Sequence, residues 1–296
     1  MYGLWIAAGL AACVLAMLWQ TNCRRSEALP AVGTLVISTL TGFVCAKVGY
    51  VLLQLQSTLV YDGPAAFFYL DADSFSFFFG IAGAFGGMAL SALMLKRPVV
   101  CWLNLAAPCA ALFLAFLRAG EKSLGTLGVG KFVPEGSLFA RFPFAVSNAY
   151  GEHLYAVFYL EALFALVLAI CLLLCRKGSW ASHRAELCAF FLALPQVLCE
   201  SLRARCIRWG FVRLEQLLCG LLMLGLLIYA CARMKGSKTF LRRFWRAGAA
   251  ALLIAVIGLL EYALDKTGIP VPVCYAMMAA ALAAFGALEI QALRRR

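Results

Sequence analysis

Apolar positions along this chain do not alternate with polar ones. They run continuously, near 2–20, 31–53, 74–94, 98–117, 154–175, 187–202, 212–232, 247–264 and 271–291. A helix needs about 20 apolar residues to cross roughly 30 Å of hydrocarbon. Continuous runs satisfy the backbone within one helix, whereas barrel strands would show a period of two. The pattern therefore predicts an all-α polytopic membrane protein with about nine transmembrane helices. The first run has no basic start and is followed by Arg24 and Arg25, so it is expected to be a retained span and not a cleaved leader. The longest polar interval, 118–152, carries the Gly-rich stretch "AGEKSLGTLGVGKFVPEG" and is expected to be a loop able to close over a site.

Composition agrees. Hydrophobic residues make up 64% of the chain and charged residues 14%, with a mean hydropathy of +0.90; soluble domains are about half apolar. The net charge of +12 is distributed unevenly. With the N-terminus outside, one set of loops holds Arg24, Arg25, Lys96, Arg97, Arg176, Lys177, Arg184, Arg233, Lys235, Lys238, Arg242, Arg243, Arg246 and Arg294 to Arg296. Only Glu27, Glu186 and Glu289 join them. The excess of basic residues marks that side as cytoplasmic, which places the C-terminus inside. The charge reads as topology and attraction to anionic lipid, not as nucleic-acid binding. The 13 cysteines are scattered through the spans with no metal-ligand spacing and read as small packing residues. No metal or cofactor is expected.

On this orientation a second set of basic residues falls on the outer side, against the general bias. "CESLRARCIRWGFVRLEQLLCG" (199–220) contains Arg203, Arg205, Arg208 and Arg213; Arg118 ends the fourth run and Lys47 lies within the second. Cations within hydrocarbon are expensive and call for a partner. Gln196, Glu200 and Arg203 share one helix face, as do Arg213 and Gln216. Guanidiniums match phosphate oxygens through paired hydrogen bonds, so the anion that suits this set is a phospholipid headgroup. For any single arginine, snorkelling to the interface is the competing reading.

At these residues the chain resembles the prolipoprotein diacylglyceryl transferase family. "YGLWIAAG" (2–9) is similar to the family's Tyr-Gly-Leu start, and "AKVGYVL" (46–52) to its Ala-Arg-x-Gly-Tyr-Val, with Lys47 in the Arg place. "NLAAPCAALFLAFLRAG" (104–120) matches Asp-x-x-Ala-Pro and, ten residues on, the Arg of Gly-Arg-x-Gly-Asn, which falls on Arg118. "RFPFAV" (141–146), "EHLYAVFYLEAL" (152–163, with Tyr155 as the matching Tyr), "ESLR" (200–203) and "VRLEQLLCG" (212–220) follow in register.

The resemblance covers about 2–232, a seven-helix transferase-like domain with the outer loop 118–152. Residues 233–296 have no counterpart and read as a basic cytoplasmic linker plus a two-helix extension, in which Glu261 is expected to be a snorkelling or paired acid. The resemblance implies transfer of the diacylglyceryl group of phosphatidylglycerol to the lipobox cysteine of exported prolipoproteins, in the bacterial plasma (inner) membrane. Its partners would be phosphatidylglycerol or another anionic phospholipid and the prolipoprotein signal peptide; a monomer is expected. Arg118 and Arg203 would bind the phosphate, Glu200 would orient Arg203, and Tyr2, Lys47, Tyr155, Gln196, Arg213 and Gln216 would line the substrate site. The chain departs from the pattern at several places. Phe78 stands near the family's third-span His, Glu121 at the loop Asn, Thr126 at the loop Glu, Ala156 at the Glu after Tyr155, and Gln196 at an Arg. Glu161 could compensate for Ala156 with a shift of one turn. A relative that holds anionic phospholipid without transferase chemistry is thus the alternative.

Overall fold

The computed structural model describes every residue except 23–24, 56–62, 69–73, 125–128, 134–135, 149, 177, 205, 210–211, 235–238, 267–268 and 295–296. Cys23, Arg24, Thr126, Lys177, Arg205, Lys235, Lys238, Arg295 and Arg296 lie outside the described residues. Nine helices among those described are long and apolar enough to cross a membrane: α1 Tyr2–Gln20, α2 Arg25–Leu53, α3 Phe77–Met94, α4 Val99–Gly120, α5 Val157–Leu174, α6 Arg184–Leu202, α7 Leu214–Ala232, α8 Thr239–Lys266 and α9 Val271–Leu293. This is the polytopic all-α architecture that the apolar runs predict.

One boundary differs for a physical reason. Residues 154–155, which the apolar run assigns to the fifth helix, belong to strand β2 (His153–Tyr155), paired antiparallel with β1 (Ala145–Ser147). The partner strand lies in the polar interval, so the pairing competes with helix formation only once the loop has folded back.

The chain divides into two compact units, the first comprising Met1–Leu192 with Leu202–Ile207 and the second Ala193–Ser201 with Arg208–Arg296. In the first, α2 and α3 approach closely through small residues. A Cβ on Gly83 would lie 2.7 Å from the Thr41 carbonyl oxygen, and one on Gly87 2.7 Å from Ser38 Cα. Thr41 Oγ1 donates to the Gly83 carbonyl at 2.9 Å. Glycines spaced by four let helix backbones meet where lipid offers no hydrophobic drive. Nearer the other end of this helix pair, Trp102 of α4 donates to Thr34 Oγ1 at 3.0 Å, and Thr34 shares a 2.6 Å hydrogen bond with Ser91. Around them pack Cys13, Met17, Leu35, Met88, Ala106 and Cys109. That end also holds basic residues with partners: Arg97 with Glu27 at 2.8 Å and Arg184 with Gln20 at 2.6 Å. In the second unit, α7, α8 and α9 pack on one another.

Candidate functional site

The opposite end of the first unit gathers a second set of charged side chains at three helix ends. Arg118 sits in the last turn of α4, followed directly by a 3-10 turn, Glu121–Leu124. Glu161 lies one turn into α5 and is only 4% exposed. Arg203 follows the end of α6. Arg118 Nε is 2.7 Å from Glu161 Oε2, although the N–H points off that line. Arg118 Nη1 pairs with Glu121 Oε1. Arg203 Nη2 donates to both Glu161 oxygens, at 2.7 and 2.8 Å. One buried carboxylate thus bridges two guanidiniums, and a second carboxylate holds the first guanidinium from the other side. An arginine in apolar surroundings needs such partners, because unpaired burial of a charge costs several kcal/mol.

Aromatic and backbone groups fix the arginines further. The Arg118 guanidinium lies over the Phe77 ring, 5.4 Å from its centre, a cation–π contact at the start of α3. A Cβ on Gly120 would fall 2.7 Å from Trp5 and 3.0 Å from the Tyr2 ring, so the Arg118 turn is pressed against α1 and Tyr2. Residues 129–133 pass between β2 and the Arg203 segment. Gly130 N–H donates to the Tyr155 carbonyl at 2.7 Å, and Lys131 N–H to the Leu202 carbonyl at 2.9 Å. Gly130 is required there, since a Cβ would lie 2.7 Å from both the Leu202 oxygen and Tyr155 Cβ. Burial raises the Tyr155 phenol above its ordinary pKa, which keeps it a neutral hydrogen-bonding group. Lys47 is buried. Its Nζ donates to Ser74 at 2.8 Å and faces the rings of Tyr50 and Phe75. The short segment 74–77 therefore connects Lys47 with the ring under Arg118.

Arg118, Arg203, Tyr2, Tyr155 and Lys47 are all in this unit, and the residue at its centre is Glu161. Within the unit Glu161 is a carboxylate partner of Arg203, one that the helical spacing of Glu200 and Arg203 does not point to. Two signals point to Glu161 in the sequence: it is the acid that could compensate for Ala156, and it is the only charge in the run 154–175, where a lone acid in a span marks a functional or paired position.

Glu200, Gln196, Arg213 and Gln216 belong to the second unit. Gln196 Nε2 is 3.5 Å from Glu200 Oε2, and Gln216 Nε2 donates to the Val197 carbonyl at 3.2 Å. The Arg213 side chain is 1% exposed, with Nε 2.5 Å from Glu261 Oε1. Its Nη1 donates to the Glu200 carbonyl. Ser201 donates to the other Glu261 oxygen at 2.6 Å, and Tyr275 to the Ser201 carbonyl at 3.3 Å. Below these groups a crevice of about 80 Å³ is lined by Leu217, Met223, Ile254 and Ile257 among others.

The prolipoprotein diacylglyceryl transferase family matches residues 1–232. The chain belongs to that family. The match runs from the first residue to the end of α7, so this member of the transferase family carries α8 and α9 beyond it. The family assignment makes it a polytopic membrane protein of lipoprotein biosynthesis and, at that level, a transferase. No curated protein matches the chain.

Proposed function

We propose that the protein transfers the diacylglyceryl group of phosphatidylglycerol to the lipobox cysteine thiol of exported prolipoproteins, releasing glycerol phosphate. The observation that carries this reading is the pair Arg118 and Arg203 set about one carboxylate at the end of the long loop, in a chain whose family performs this transfer. Their two guanidiniums meet on one carboxylate and so stand close enough for both to reach one phosphate. In the transition state the phosphate gains charge as its bond to the glyceryl carbon breaks, and preorganised guanidiniums favour that charge over the ground state. With the N-terminus outside, the site opens to the outer leaflet, where exported precursors are presented. The bacterial inner membrane is the compartment in which lipid and precursor meet.

The competing reading is a phospholipid-binding relative without chemistry, favoured by Phe78, a ring that cannot accept a proton, near the family's His. Expression in a bacterium depleted of its own transferase separates the two. The natural chain is expected to convert accumulated prolipoprotein to the lipid-modified form. Failure to do so while the protein still binds phosphatidylglycerol supports the binding reading.

A further inference from the structure

We infer that Glu121 is the general base of this chain, taking the thiol proton of the incoming cysteine once phosphate has displaced it from Arg118. This rests on the transferase reading above. A thiol has a reference pKa of about 8.5, so little of it is thiolate at neutral pH. A positioned base would therefore speed the transfer at neutral pH. Phe78 offers none, and its ring packs edge-on against Phe79. His153 hydrogen-bonds Ser147 on the β1–β2 hairpin at 3.1 Å.

Glu121 is placed for the task. Its side chain is 13% exposed, with Oε1 held by Arg118. Its Oε2 is buried and has no hydrogen-bond partner among the described residues. The groups facing it are Tyr2 from α1 and Arg118 from α4. Glu161 of α5 and Arg203 lie beyond Arg118. Lys122, its neighbour, is exposed.

Glu161 bridges both arginines from within a helix, whereas Glu121 holds one from a short turn at the helix end. A phosphodiester entering the site therefore displaces Glu121 more readily than Glu161. Displacement leaves the Glu121 carboxylate free of its guanidinium and open to a proton donor, so lipid binding itself would arm the base. The thiol proton passes to Glu121 Oε2 and the sulfur forms a bond to the terminal glyceryl carbon. The bond from that carbon to the phosphate oxygen breaks with its electron pair. Glycerol phosphate then leaves with its added negative charge against Arg118 and Arg203, and the proton on Glu121 passes to water.

The test measures transfer from phosphatidylglycerol vesicles to a synthetic lipobox peptide by the purified full chain, at pH 7 and pH 9, for the natural protein, Glu121→Gln and Glu121→Asn. Positioned bases contribute about 10²–10⁴ in rate. Both variants should lose roughly that factor at pH 7 and regain about tenfold to thirtyfold of it at pH 9, where a thiol of reference pKa about 8.5 is mostly ionised unaided. Phosphatidylglycerol should bind them as tightly as the natural chain or more so, since a competitor for Arg118 has gone. Turnover within a few-fold of the natural chain at pH 7 overturns the proposal. So does an equal loss at both pH values, with or without weakened lipid binding, which would make Glu121 a structural partner of Arg118. Absence of turnover in the natural chain would remove the transferase reading itself, and this inference with it.

Discussion

Replacing Glu161 by Gln removes the one carboxylate that two arginines share. Arg118 Nε lies 2.7 Å and Arg203 Nη2 2.8 Å from the same Glu161 oxygen. The two guanidiniums therefore approach within roughly 5.5 Å, where like charges repel by about 3 kcal/mol at an effective dielectric constant near 20. All three side chains are largely shielded from water, at 12%, 4% and 18% exposure, so solvent screens little of this. Glu161→Gln should destabilise the lipid-free protein by about 3 kcal/mol, measured as a lowered unfolding midpoint in detergent. An anion that replaces the carboxylate should reverse the effect. Phosphatidylglycerol is thus expected to raise the midpoint of the variant more than that of the natural chain, while a zwitterionic lipid should act equally on both. A variant as stable as the natural protein, or one that anionic lipid stabilises no further, would refute the claim that Glu161 is what neutralises the two arginines in the lipid-free protein.

The second unit makes an independent prediction. Breaking a buried ion pair from one side typically costs about 3–5 kcal/mol, so Glu261→Gln and Arg213→Leu should each destabilise the protein by that order, and the double change by clearly less than their sum. Additive costs in such a double-mutant cycle would mean that the pair is not coupled. Topology is tested with variants whose only cysteine is Cys23 or Cys206. A membrane-impermeant maleimide applied to intact cells should label Cys206 alone, and labelling of Cys23 alone would invert the orientation on which the placement of the arginine site rests.

Much of the architecture is legible in the apolar runs, because a helix in lipid satisfies its backbone within itself and its length is set by the bilayer. Tyr155 shows where that logic stops. Its run is apolar enough to be helical, but its backbone pairs with Ala145, a partner that no local pattern names. Arg118 and Arg203 stand out as cations beside hydrocarbon, yet their common partner does not. Glu161 is 42 residues from Arg203, and only the rotation of α5 about its axis decides that the two meet. Glu261 is similar. Its meeting with Arg213 depends on how α8 docks on α7, and residues 233–296 lie outside the family match, so resemblance offered no guide there.

The most direct measurement of the central claim uses the purified chain, phosphatidylglycerol labelled in its diacylglyceryl part, and a lipobox peptide, with both products quantified. The natural protein should yield peptide carrying the label in a thioether and an equimolar amount of glycerol phosphate. A peptide with Ser in place of the cysteine should yield neither. Arg118→Leu and Arg203→Leu should each weaken phosphatidylglycerol binding by roughly tenfold to a hundredfold, as loss of a charge-assisted hydrogen bond of about 1.5–3 kcal/mol implies. Lys at either position should restore only part of it. Label transfer by the double Leu variant at the natural rate, or phosphatidylglycerol bound as tightly without either arginine, would contradict the account.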